Sequence, residues 1–254
     1  SLLAINHRFK MVSVCFPASI DSITRSSILI SEYLDGNNMS EEVRYLNDER
    51  EVRRLQVSTK SLRDNVLKFN GTYMITGGMG KLGLVFARYL VDTYQANLLL
   101  TGRSALTDEK QLIVDTLRSE NNHVEYVSAN TSDPKEVNGL IDHALKTFGS
   151  LNGVIHSAGV SDAKSLTEQG VEEFSRVLEP KVTGTLILDE ATKRINLDFF
   201  VLFSSISALV GDLGSGSYAC ANRFMDMFAE HRQQKVVAGE RNGLTLSINW
   251  PLWL

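Results

Sequence analysis

Four residues of this 254-residue chain have types and spacings that could move a proton onto a carbonyl oxygen. Tyr218 stands 13 residues after Ser205, and Asn222 follows Tyr218 at i+4, on the same helical face. Lys181 lies 37 residues before Tyr218. A phenol has a reference pKa of about 10, so a tyrosine that gives up its proton near neutrality needs a cation beside it. A neighbouring serine hydroxyl could hold the carbonyl oxygen. Taken singly, each residue also has an ordinary reading. Ser205 could be a strand-end cap, Tyr218 a half-buried ring and Lys181 a surface charge.

A second group could hold a dinucleotide. In Thr76-Gly77-Gly78-Met79-Gly80-Lys81-Leu82-Gly83, the residues Gly78, Gly80 and Gly83 fit G-x-G-x-x-G. The string follows an apolar run and precedes a helical pattern. There the missing side chains let a backbone approach a pyrophosphate at a helix N-terminus. An NAD site would carry Asp or Glu about twenty residues further on. That position is Arg103, followed by Ser104, with no acid at the strand end. A guanidinium fork suits a 2′-phosphate, so the pattern points to NADPH.

These residues need elements to position them. From Gly71 onward, short apolar runs alternate with amphipathic stretches six times. Predicted strands cover 73–75, 97–100, 123–128, 153–156, 199–203 and 244–249. Predicted helices cover 82–94, 108–119, 134–148 with Pro134 in the first turn, a long stretch within 171–193, and 217–234. This is the pattern of an α/β fold: a parallel sheet covered on both faces, doubly wound in the Rossmann manner. Residues 1–70 are less regular. They hold a predicted strand at 11–16, a helix at 20–34, and a hairpin whose arms, 43–45 and 52–55, flank Asn47-Asp48. This stretch reads as the tail of another domain.

Composition removes several classes of function. The chain is 43% apolar and 22% charged with 4 Pro, which excludes collagen-like and disordered chains. The net charge of −4 offers no basic footprint for nucleic acid or an anionic membrane. The longest apolar run, Phe199 to Phe203, is far short of the ~20 residues of a membrane span. No signal peptide opens the chain. Two cysteines, Cys15 and Cys220, are too few for a disulfide scaffold, and the expected compartment is the reducing cytosol. Cys220 lies in the Tyr218 helix and, with no catalytic partner evident, reads as a packing residue. The five histidines have no metal spacing, so no metal is expected. The Ser1 start and the apolar Trp253-Leu254 end read as an excised piece of a longer chain.

The stretch from Gly71 to Trp253 resembles the ketoreductase domain of modular polyketide synthases, a branch of the short-chain dehydrogenase/reductases. The strings that carry the likeness are Thr76-Gly77-Gly78-Met79-Gly80, His156-Ser157-Ala158-Gly159-Val160, Glu179-Pro180-Lys181-Val182-Thr183-Gly184, Phe203-Ser204-Ser205, Tyr218-Ala219-Cys220-Ala221-Asn222 and Asn249-Trp250-Pro251. Most short-chain reductases carry Tyr-x-x-x-Lys. Here Asn222 holds that lysine's place and Lys181 stands on the preceding helix, an exchange typical of the ketoreductase branch.

The resemblance implies reduction of a 3-ketoacyl thioester, carried on the phosphopantetheine arm of an acyl carrier protein, among neighbouring synthase domains. It implies Ser205 and Tyr218 on the keto oxygen, Lys181 on the phenol and the cofactor ribose, and Asn222 orienting a water or side chain. Ser157, Ala158 and Gly159 join the glycine turn around NADPH. Asn130 replaces a usual Asp beside the adenine, and Lys81 replaces a usual glycine. Residues 1–70 would be the end of a structural subdomain and 71–254 the catalytic one, with the family's lid outside the chain. The B-type Leu-Asp-Asp falls on Ser161, Asp162 and Ala163, so its diagnostic acid is missing. The A-type tryptophan position is Val210. The lost acid points to the A-type, L-configured hydroxyl. Two alternatives remain: an inactive scaffold domain of a megasynthase and a stand-alone short-chain reductase.

Overall fold

The computed structural model describes residues 13–17, 19–34, 42–46, 49–54, 56–57, 66–161, 164, 168–211 and 214–252. Contacts divide the chain into Ser1–Arg63 and Asp64–Leu254.

The first unit contains β1 (Ser13–Cys15), α1 (Ser22–Leu34), β2 (Glu42–Leu46) and β3 (Glu49–Val52). β1 pairs parallel to β2, which pairs antiparallel to β3 with Val43 opposite Val52. The second hairpin arm therefore begins three residues earlier than its apolar content suggests. Glu49-Arg50 extends the ladder because Arg50 reaches a buried acceptor: Glu32 takes hydrogen bonds from Arg50 Nε (2.5 Å) and Tyr45 Oη (2.6 Å). Met11, Val12, Asn47, Asp48 and Leu55 lie outside the described residues.

The second unit runs β4 (Thr72–Thr76), α2 (Lys81–Tyr94), β5 (Asn97–Gly102), α3 (Asp108–Leu117), β6 (Val124–Ser128), α4 (Pro134–Phe148), β7 (Gly153–His156), α5 (Val171–Lys181), α6 (Thr183–Ala191), β8 (Phe199–Ser205), α7 (Ser207–Val210), α8 (Gly216–Val237) and β9 (Leu244–Trp250). Six strands form one parallel sheet in the order β6-β5-β4-β7-β8-β9. This is the expected doubly wound α/β architecture. Every residue of β4 is buried, because helices cover both faces. Met74, Val154 and Phe200 pack under α4, α6 and α8. Tyr73, Ile75 and Leu100 pack under α2 and α3 on the other face. The period-2 alternation of side chains sorts one apolar run into two cores. Among the described residues, no helix is long and apolar enough to cross a membrane.

Local chemistry sets the helix ends. Asp133 Oδ1 accepts from the N–H groups of Lys135 (2.7 Å) and Glu136 (3.2 Å), and Pro134 follows at the first helical position. Gly149 closes α4 with φ +78°. The long helix expected within 171–193 is two helices that meet at Val182. Pro180 has no N–H to donate, and its carbonyl takes a hydrogen bond from His156 Nε2 (2.9 Å). Thr185 Oγ1 donates to the next carbonyl, that of Lys181 (2.5 Å). Cys220 is exposed on α8, contrary to the packed position expected for it.

Arg232 fastens the corner where α6, α8 and β9 meet. Its guanidinium is 1% exposed, lies 4.4 Å from the Phe200 ring centroid and donates to Asp189 Oδ1 (2.8 Å), Thr245 Oγ1 (2.7 Å) and Asn242 O (3.0 Å). Arg241 shares Asp189 at 3.0 Å. Removing one partner of a buried pair strands the other charge. Asp189→Ala is expected to lower the unfolding free energy by about 3–5 kcal/mol in urea titrations. Glu190→Ala, at an exposed neighbour, should change it by about 0.5 kcal/mol or less.

Candidate functional site

The loops that matter follow parallel strands and so gather at one edge. β4 lies between β5 and β7, with Thr76 paired to Thr101 on one side and His156 on the other. The chain leaves β4 for one side of the sheet and later returns to the other, which opens a crevice at the strand ends. The turn Gly77–Gly80 occupies it. Gly77 has φ +65°, and a Cβ there would stand 2.8 Å from Ala158 N. A Cβ on Gly83 would stand 2.6 Å from Gly77 O. Glycine at these two positions lets the turn fold back on itself and lie against Ser157-Ala158. No side chain caps the start of α2, whose first-turn N–H groups could hold an anion.

Arg103 and Ser104 follow β5 and are exposed at the same edge. Ser104 Oγ accepts from Lys110 Nζ (2.6 Å), a cation that no motif marks, although it sits in the first turn of the next helix. Lys110 also caps Ala105 O and lies 5.3 Å from the Tyr126 ring centroid. The edge can therefore present two cations to an anionic ligand. Asn130 Oδ1 takes the N–H of Ser132 (3.1 Å), which leaves its Nδ2 to reach a ligand.

Thr76, His156 and Pro180 form a relay beneath this crevice. Thr76 Oγ1 contacts His156 Nδ1 at 2.6 Å and accepts from Ala158 N at 3.3 Å. A carbonyl can only accept, so His156 Nε2 carries the proton donated to Pro180 O, and Nδ1 accepts from Thr76. Full burial, with a smaller contribution from Lys181, holds the His156 pKa down to about 3. The ring is a fixed neutral connector between β4, β7 and the end of α5.

Lys181 follows directly. Its side chain is buried, Nζ donates to Phe203 O (2.7 Å), and the ammonium stands 5.8 Å from the Tyr218 ring centroid. A Cβ on Gly159 would lie 2.7 Å from Lys181 Cε, so the glycine after β7 clears the lysine's path. Burial lowers the Lys181 pKa to about 8, and the Asp226 carboxylate opposes that shift. Asn222 Nδ2 donates to Tyr218 O (2.8 Å) one turn back. Ser205 Oγ accepts from Ser207 N (3.3 Å), so the strand-end cap is real and the hydroxyl proton stays available to another acceptor. Among the described residues, the buried Asn222 Oδ1, Ser207 Oγ and Ser217 Oγ have no hydrogen-bond partner. They are polar groups at a place where a ligand could satisfy them.

The structure thus joins Lys181, Tyr218 and Asn222 in one cluster, with Ser205 at the adjoining strand end. Ser161 and Val210 are exposed, and Asp162 and Ala163 lie outside the described residues. Asp226 and Asn249 bind into the cluster, although the sequence assigns neither a role. The only sequence signal for Asp226 is its place two helical turns after Tyr218.

Comparisons with known proteins identify the family. The family described as KR domain matches residues 71–254. Polyketide synthase PksM of Bacillus subtilis is 41% identical over 211 residues, covering 83% of this chain and 5% of that protein. Polyketide synthase ThaG of Burkholderia thailandensis is 35% identical over 221 residues, with coverage of 83% and 4%. This chain therefore spans a small part of the synthases it matches. Among solved structures, a ketoreductase domain from the bacillaene assembly line superposes with TM-score 0.80 at 38% identity, covering 91% of this chain and 54% of that one. An N-terminal ketoreductase from the macrolactin assembly line gives 0.84 at 35%, covering 99% and 50%. The chain belongs to the KR-domain family of polyketide synthases, within the short-chain dehydrogenase/reductase superfamily.

The buried lysine gives a pH signature. Its pKa is about 8 in the fold against 10.5 when solvated. Between those values the unfolded chain binds more protons, so stability rises with pH. The unaltered chain is expected to gain about 3 kcal/mol relative to Lys181→Met as pH climbs through that window. Urea unfolding at each pH measures the difference, and parallel curves would contradict it.

Proposed function

We propose that this KR domain reduces a 3-ketoacyl thioester, carried by an acyl carrier protein, to the 3-hydroxyacyl thioester with NADPH. The observation that carries the proposal is the buried Lys181 ammonium under the Tyr218 ring, beside the strand end that bears Ser205. KR-type domains generally bind nicotinamide cofactors. The glycine turn and the start of α2 suit the pyrophosphate, with Thr76, Met79 and Leu82 flanking it. Ser157, Ala158 and Gly159 form the opposite wall. Arg103, with Ser104, suits a 2′-phosphate by charge and by its guanidinium fork. Asn130 remains beside the place of the adenine.

NADPH supplies a hydride when bound. The chain's own residues supply the rest. The Ser205 hydroxyl and the Tyr218 phenol donate hydrogen bonds to the keto oxygen, where negative charge grows as the carbonyl is reduced. Tyr218 then gives its proton to that oxygen as general acid. Lys181 stabilises the phenolate left behind. Asn222, with its amide oxygen unpartnered, orients a water or polar group beside the lysine.

In this reading residues 1–70 are the end of a structural subdomain and 71–254 the catalytic one, in a cytoplasmic multidomain synthase. An intact Ser205–Tyr218–Lys181 set favours activity over a scaffold role. The exchange of Lys and Asn favours a synthase domain over a stand-alone reductase.

The test is consumption of NADPH with a 3-ketoacyl thioester. NADPH should exceed NADH by about tenfold or more in kcat/KM, a difference of about 1.4 kcal/mol. Arg103→Ala should raise the KM for NADPH and spare NADH. Chiral separation should show the L-hydroxy product if the missing acid at Ala163 governs the face of attack. Equal use of both cofactors, or a D product, overturns the corresponding part. Tyr218→Phe should lower kcat by about a hundredfold or more while NADPH still binds. Full activity in that variant removes Tyr218 from its role.

A further inference from the structure

Asp226 lies buried on α8, one turn beyond Asn222, and no step above uses it. Its Oδ1 accepts from Ser247 Oγ (2.7 Å) and its Oδ2 from Asn249 Nδ2 (2.9 Å), both on β9. Asn249 Nδ2 also reaches Ser205 O (3.1 Å) and Ser204 Oγ (3.2 Å). Ser204 Oγ in turn donates to Asn222 O (3.1 Å). Opposite Asn249, the β8–β9 ladder pairs Ser204, and it pairs Ser205 with Trp250. One amide thus bridges the helix that carries Tyr218 and the strand end that carries Ser205.

We propose that Asp226 and Asn249 form a positioning clamp: Asp226 orients the Asn249 amide, which fixes the Ser205 peptide and the Ser204 hydroxyl against α8. Neither residue touches the reacting atoms. The inference rests on the reductase reading above.

The clamp acts through orientation. A primary amide has two N–H groups and no single preferred pose unless something fixes it. A buried carboxylate is a strong acceptor and settles which way the amide faces. Without it, the Ser205 carbonyl and the Ser204 hydroxyl lose a shared donor at the end of a strand.

Two variants test the clamp. Asp226→Asn keeps the shape and sets an amide against the Asn249 amide. Asn249→Ala keeps the carboxylate and removes the bridge. Both should lower kcat by about tenfold to a hundredfold, the scale of a small misplacement, with the Kd for NADPH unchanged. A kcat within about twofold of the unaltered chain in Asn249→Ala overturns the clamp. Should Asp226→Asn not fold, Asn249→Ala decides the clamp alone. If the unaltered chain turns over no 3-ketoacyl thioester, the reductase reading fails, and NMR of the Asn249 side-chain amide still judges the clamp: its resonances should move in Asp226→Asn, and unmoved resonances overturn it.

Discussion

A lysine ammonium removed from water is the constraint around which this unit is arranged. An uncompensated buried charge is too costly to keep, so the fold must supply acceptors and an opposing charge. It does so from separate places in the chain. β8 gives the Phe203 carbonyl, α8 gives the Tyr218 ring and the Asp226 carboxylate, and the segment after β7 gives the bare backbone of Gly159. Those demands fix the relative height of α5, β8 and α8 to within a hydrogen bond. The same demands bring a phenol, a hydroxyl and an ammonium to one strand end. Structural necessity and chemistry coincide there.

The parallel sheet makes this arrangement economical in sequence. Six strands point the same way, so every strand-to-helix loop opens at one edge. The reversal of direction at β4 leaves a crevice that no side chain has to carve. The Thr76–His156–Pro180 relay then couples the floor of that crevice to the end of α5, one residue before the lysine. Its ring is held neutral, so the connection is insensitive to pH across the range in which proteins usually work.

Much of this was legible in the sequence because it is local. Gly78, Gly80 and Gly83 mark a turn whose backbone must crowd, and Pro134 marks the first turn of α4. Tyr218 and Asn222 declare a shared face by spacing alone. The unread features depend on partners distant in the chain. The break at Val182 needs His156 and Thr185 to take two carbonyls, and the amphipathic run across 171–193 hides it. The shifted β3 depends on Arg50 finding Glu32. Asp226 and Asn249 are 23 residues apart on different elements, and no periodicity relates them. Cys220 reads as packing because the sequence offers it no catalytic partner, yet it is exposed on α8.

The Arg232 corner has a consequence for how the polypeptide matures. Its guanidinium stacks on Phe200 and takes acceptors at Asp189, Asn242 and Thr245, so its partners span 56 residues of chain. It cannot leave water until all of them are present, because a partly satisfied buried charge is worse than a solvated one. During synthesis the central strands can pair as they emerge, but this corner waits for the turn that precedes β9. A ribosome paused before residue 245 therefore holds a sheet with its outer strand unpaired and its α6–α8 seam still hydrated, the stage at which a chaperone has a surface to grip.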